Sequence, residues 1–185
     1  SGAWTNALLD GQGSSAGTDG GTLVLASRRR VQTGSLSALD VSGGALVDAA
    51  GTVRGGAGGR LVLGQDPSSP QGVRDTNPVT LQLDGDLRGY SMQKGASLAL
   101  TTASIAIGAG GRSASLSLAA DFFSRGGFSS FSLDGRDFLD VTANTRIAPV
   151  ATTWTPRADA RSAASGTCRP SSSHLPSAKR TPCST

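Results

Sequence analysis

Glutamate is missing from this chain altogether, and all thirteen acidic side chains are aspartate. Glutamate suits helix interiors, whereas aspartate competes for nearby backbone groups and favours turns. The absence therefore speaks against a helical protein and for strands joined by corners. Aromatic residues make up only 4% of the chain and charged residues 16%, against about 25% charged in an average domain, so a core filled by large rings is excluded. Two cysteines, Cys168 and Cys183, and the lone His174 all lie in the last eighteen residues. The body thus has no disulfide framework and no His/Cys metal cluster, and a Cys168–Cys183 bridge would need an oxidising compartment. No apolar run approaches the roughly 18 residues of a membrane span, and no charged-then-apolar leader opens the chain. The expectation is either an intracellular protein or an internal or C-terminal piece of a longer one.

Charge is also missing where the totals suggest it. The formal net charge is +4, yet residues 1–150 hold twelve Lys or Arg and twelve Asp, while residues 151–185 hold five basic groups against Asp159. The excess belongs to the tail. A nucleic-acid interface needs clustered cations interleaved with stacking rings, so no nucleic-acid partner is expected.

What the chain has in quantity is glycine, 26 residues of it, and spaced aliphatic doublets. In Leu98-Ala-Leu100-Thr-Thr-Ala-Ser-Ile105-Ala-Ile107 an apolar pair, a polar corner and a second pair follow each other. Period-two alternation is strand logic, because successive side chains point to opposite faces. Related pairs recur at Leu23/Leu25, Leu61/Leu63, Leu81/Leu83, Leu116/Leu118 and Phe131/Leu133, and Phe131/Leu133 is followed eight positions later by Leu139/Val141. The steps suggest a repeat of roughly 20 residues and hence an all-β solenoid in which each coil stacks its strand on the next. Leu39 to Val53 continues this pattern, and the paired glycines of Gly55-Gly56-Ala57-Gly58-Gly59 permit positive φ and tight turning where side chains would collide.

Three regions follow. Residues 1–22 read as an N-terminal loop or edge segment, 23–150 as the stacked coils, and 151–185 as an irregular or disordered tail, rich in Ser and Pro, with a helical turn or two over Ala158 to Ala164. The proline-bearing stretch Gln65 to Pro78 reads as an excursion suited to recognition. Arg28-Arg29-Arg30 cannot all face a core and mark a solvated corner, or more sharply an anion site.

Chemistry is sparse. Gly13-Ser14-Ser15-Ala16-Gly17 fits the nucleophile pattern Gly-x-Ser-x-Gly but lacks the helix signal and positioned histidine that give it meaning. Asp84, Asp86, Asp134, Asp137 and Asp140 could hold calcium or serve acid chemistry on a sugar, and the plainer reading is an Asp-Gly turn at strand ends. No catalytic, cofactor-binding or metal-binding residue is assigned and no cofactor is expected.

Several stretches, taken in order, resemble the filamentous haemagglutinin family of exoproteins. These are Ser1-Gly2-Ala3-Trp4-Thr5-Asn6, Asp19-Gly20-Gly21, Asp40-Val41-Ser42-Gly43-Gly44, Asp48-Ala49-Ala50-Gly51, the 55–59 glycines, Asp86-Leu87-Arg88-Gly89-Tyr90-Ser91, Asp121-Phe122-Phe123 and Gly126-Gly127-Phe128-Ser129. The likeness covers residues 1 to about 165 and is to the region downstream of that family's secretion domain. It implies a right-handed parallel β-helix, two-partner secretion through an outer-membrane pore, and a non-catalytic adhesin at the surface of a Gram-negative bacterium. The implied partners are the rest of a parent exoprotein, the secretion pore, and surface glycans or proteins. The missing secretion domain and the foreign texture after about Thr167 depart from the family, and the ending reads as an altered reading frame or a truncated gene. A polysaccharide-acting β-helix enzyme and a non-functional gene remnant are the alternative readings.

Overall fold

In the computed structural model the described residues are 3–6, 19–48, 50–65, 79–150, 152–155, 166–167 and 181–182. They form strands β1 (Ala3–Asn6), β2 (Thr22–Ala26), β3 (Arg30–Thr33), β4 (Ala38–Asp40), β5 (Ala45–Val47), β6 (Val53–Gly55), β7 (Arg60–Gly64), β8 (Thr80–Leu83) and β9 (Asp86–Arg88). The series continues with β10 (Ser97–Ile107), β11 (Leu116–Leu118), a 3-10 turn over Ala120–Ser124, β12 (Ser130–Val141), β13 (Trp154–Thr155), β14 (Gly166–Thr167) and β15 (Thr181–Pro182). The chain is all-β, as the missing glutamate and the doublets imply.

The doublets set the register. Strands β2, β7, β10 and β12 lie side by side and parallel, with Leu23 opposite Leu61, Leu61 opposite Leu98 and Leu98 opposite Phe131. Leu25, Leu63, Leu100 and Leu133 form a second row on the same face. Strands β3 and β8 pair in parallel, as do β4 and β9. The distance along the chain between partners in the Leu25 row is 38 residues (63 − 25), then 37 (100 − 63), then 33 (133 − 100). The expected repeat of about 20 is therefore corrected. Leu81/Leu83 belong to β8, which pairs with β3, and Leu116/Leu118 to β11, which pairs with Ile105 and Ile107. Doublets on different strands look identical in sequence, so counting them divides one pass of the chain into two.

The stretch 98–107 is a single strand, and its polar corner is a bulge: the ladder with β12 shifts between Thr102 and Ser104. On β12 the same interval runs from Gly135 to Phe138, one residue longer, which is why the second apolar pair arrives after eight positions there and after seven on β10. The corner hydroxyls are not wasted in the interior. Thr102 Oγ1 donates to the Val79 carbonyl at 2.8 Å, and Ser104 and Ser115 exchange backbone and hydroxyl hydrogen bonds of 2.8 to 2.9 Å. Buried polar groups are tolerable only when satisfied in this way.

The glycines act by size. A Cβ on Gly59 would stand 2.0 Å from the Gly21 carbonyl oxygen, and one on Gly20 would stand 2.1 Å from that of Val41. Neither Gly59 nor any other glycine of the 55–59 run has positive φ, so of the two freedoms glycine permits, it is the lack of a side chain that is used here. Backbones cross closely, and a side chain would hold them apart.

Leu39 and Asp40 continue the parallel pattern in β4, whereas Ala45 to Val53 leaves the main ladder. Strands β5 and β6 form an antiparallel hairpin that joins β1 and β14 in a separate sheet. Asp48 dictates the reversal: its carboxylate accepts from the Ala50 and Thr52 amides at 3.0 and 2.8 Å and from Arg54 Nε at 3.2 Å. The Thr52 amide chiefly, with Arg54 and the Ala50 amide, holds the Asp48 carboxyl below the usual aspartate range against an opposing desolvation effect. Beyond the boundary placed at residue 150, Trp154 is buried with Ala45 and Val47 and packs with Tyr90. The expected helical turn over 158–164 lies outside the described residues, as does most of the tail.

The main core is the doublet stack itself. Leu61, Leu63, Leu98, Leu100 and Ile105 are essentially sealed, while Leu23, Leu25, Phe131 and Leu133 at the two ends of the rows are only half-buried. Stability should follow that gradient. Leu63→Ala is expected to cost about 2 to 5 kcal/mol in chemical denaturation, and Val24→Ala on the outer face of β2 about 0.5 kcal/mol or less. Equal losses at the two positions would contradict the stacked register.

Candidate binding cleft

Between β9 and the segment that leads into β12 lies a cleft of about 420 Å³. Leu83 to Arg88 and Tyr90 form one wall, and Phe122, Arg125, Gly126, Phe128 and Phe131 the other. The first wall follows from an Asp-Gly corner: Gly85 donates its amide to Thr33 Oγ1 at 3.2 Å, and the chain swings from β8 into β9. The second follows from the 3-10 turn, which brings Phe122 and Phe123 against Phe131 at ring distances of 6.3 and 5.2 Å. Phe128 joins them at 6.1 Å. A chain poor in rings has gathered four of its five phenylalanines here.

The rim is charged but internally compensated. Arg88 meets Asp86 at 2.7 Å, Arg125 pairs with Asp121, and Asp84 accepts from Gln82 Nε2 at 2.7 Å. Tyr90 closes the floor. Its ring stacks on Trp154 at 5.9 Å and 13°, and its other side is so close to Gly127 that a Cβ there would sit 2.4 Å from Cδ1. Gly127 and Gly126 both have positive φ, 75° and 71°, a conformation that glycine adopts without strain. Burial pushes the Tyr90 phenol above its ordinary value; Arg88 opposes this, Asp86 adds to it, and a hydrogen bond from the Gly126 backbone opposes it.

Such a cleft offers apolar ring faces beside paired donors and acceptors, the combination that small polar ligands with one apolar face require. It has no His, Cys or Ser among its lining residues, and no three His, Cys, Asp or Glu side chains converge on a metal position among the described residues.

The acidic residues singled out in the sequence do not all line one site. Asp84 and Asp86 line the cleft, whereas Asp134 lies opposite Thr101 on β12 and bonds Arg136 at 3.3 Å, and Arg136 reaches Gln65 at 3.0 Å. Asp137 and Asp140 lie further along β12, where Arg112 caps the Phe138 ring at 4.2 Å. The constellation a polysaccharide-cleaving site would need, Asp84, Asp86 and Arg88 with Asp134 and Arg136, is split between two ladders. Arg28, Arg29 and Arg30 are exposed at a corner shaped by Ser27, whose hydroxyl accepts from the Arg29 and Arg30 amides. Gly13 to Gly17, His174, Cys168, Cys183 and the Gln65 to Pro78 excursion beyond Gln65 lie outside the described residues. The sequence reading missed the aromatic wall, and the signal for it was there: Phe122, Phe123, Phe128 and Phe131 fall within ten residues of a chain holding five phenylalanines.

Tyr90 is the only tyrosine, so its ionisation can be followed directly by absorbance. The folded chain is expected to titrate above the ordinary value of 10.0, and Gly127→Ala, at about 1 to 3 kcal/mol of strain, to bring the titration back towards it. A phenol favoured in its neutral form by folding contributes stability that is complete below the unfolded value and lost as pH rises through the folded one. Ordinary titration in the native chain would refute the packed floor. No family model, curated protein or solved structure matches the chain.

Proposed function

We propose that this chain is a segment of a surface-exposed or secreted adhesin of the filamentous haemagglutinin type, and that its parallel ladders are coils of a right-handed β-helix. The observation that carries the reading is the four-strand row Leu23, Leu61, Leu98 and Phe131, held parallel and in register across passes of 33 to 38 residues. Repeated stacking of this kind gives a stiff body whose interior is small aliphatic side chains and whose outer surface is free to vary. On this reading the protein is not an enzyme. Its place is the cell surface or exterior of a Gram-negative bacterium, reached as part of a parent exoprotein through an outer-membrane secretion pore.

Recognition falls to the cleft beside β9. Its ring-lined wall and its Asp86–Arg88 pair suit a surface glycan, whose pyranose rings present an apolar face for stacking and hydroxyls for hydrogen bonding. Purified chain immobilised on beads is expected to retain cells or glycan-coated surfaces saturably, and Arg88→Ala to lower that binding about tenfold or more, the scale set by a lost charge-assisted hydrogen bond. Absence of any retention would overturn the adhesin reading. Release of soluble sugar fragments from a polysaccharide, abolished by Asp86→Asn, would replace it with the polysaccharide-acting one.

A further inference from the structure

Among the described residues the main ladder ends at β2 on one side and at β12 on the other. Among the described residues nothing pairs with the outer edge of β2 or with the outer edge of β12. Leu139 and Val141, which stand opposite the sealed Ile105 and Ile107, are 45% and 46% exposed, and Phe131 and Leu133 are only half-buried. A row of unpaired backbone groups flanked by uncovered aliphatic side chains is a template for another strand.

We propose that the β12 edge of one chain receives the β2–β3 edge of a second copy, head to tail and in parallel register. The two edges match in spacing. Phe131 and Leu139 are eight residues apart (139 − 131), and so are Leu23 and Val31 (31 − 23). Continuing the observed rows sets Phe131 over Leu23 and Leu133 over Leu25 of the incoming copy, as Leu98 lies over Leu61 and Leu100 over Leu63 within one chain. The same register carries Leu139 to Val31.

Charge selects the orientation. The corner and second half of β12 carry Asp134, Arg136, Asp137 and Asp140, with Arg136 held by Asp134 and Gln65. The corresponding corner of the other edge carries Arg28, Arg29 and Arg30. Continued register brings Asp137 over Arg29, both exposed, and sets Arg136, already held by Asp134 and Gln65, over Arg28. Head-to-head contact would join two edges that each carry three aspartates and one arginine, and tail-to-tail contact two arginine corners, so net like charge disfavours both. A contact between two different surfaces does not close on itself and extends the ladder, copy by copy.

Sedimentation of the wild-type chain over a wide concentration range at low salt is expected to show mass rising beyond a dimer without a plateau, and added salt to weaken the association. Arg29→Asp and Asp137→Arg are each expected to weaken it about tenfold or more, and the two together in one chain to restore it. Both positions are on exposed corners, and circular dichroism checks that each variant keeps its strand spectrum. A chain that stays monomeric throughout overturns the proposal and leaves the edge to an adjoining segment of a longer protein. A plateau at the dimer, or single variants that associate like wild type, overturns it as well. Neither result bears on glycan binding at the β9 cleft, which is read separately on the monomer.

Discussion

Everything in this structure depends on how closely one pass of the chain can lie on the next. Strands in a ladder sit about 4.7 to 4.9 Å apart, and at that spacing the interior holds little more than one aliphatic side chain per rank. Leucine doublets fill the ranks, and glycines such as Gly20 and Gly59 let the connecting backbones come together at the same spacing. The lean composition follows from this constraint. Phe131 takes the half-buried end of a row, and Phe122, Phe123 and Phe128 gather against it where the 3-10 turn interrupts regular stacking.

That interruption is where the chain acquires chemistry. Regular ranks present similar faces, and a departure from them makes a concavity. The Asp84-Gly85 corner, the 3-10 turn and the positive φ of Gly126 and Gly127 are three local departures that together open a cleft floored by Tyr90 and braced by Trp154. Its ion pairs fix the rim, and Asp134, Asp137 and Asp140 stand apart from it on β12. On the proposed self-association, the net negative charge of β12 favours an oppositely charged partner edge over a second β12 edge.

Much of this was legible in the sequence, and what was not has identifiable physical causes. The Leu98/Leu100 doublet reads as strand because period two has no helical equivalent, and the extra residue between Phe131/Leu133 and Leu139/Val141 is the bulge on β12. Arg28 to Arg30 read as a solvated corner because three adjacent guanidinium groups cannot share a dry interior. The length of a pass was not legible, since Leu81/Leu83 and Leu61/Leu63 have the same form while lying on different ladders. The β5–β6 hairpin was hidden for a related reason: Ala45-Leu46-Val47 is apolar in either direction of pairing, and only the Asp48 turn decides that the chain reverses. The cleft was hidden because its two walls are joined by rows whose register had first to be known.

The most direct measurement of the central claim is the set of interstrand nuclear Overhauser contacts in the isotopically labelled chain. Parallel in-register stacking predicts contacts from Val62 to Val24 on one side and to Ala99 on the other, and from Ala99 onward to Ser132. Contacts that step in the opposite sense along the partner strands, or that join Leu63 to Leu83 in place of Leu100, would contradict it.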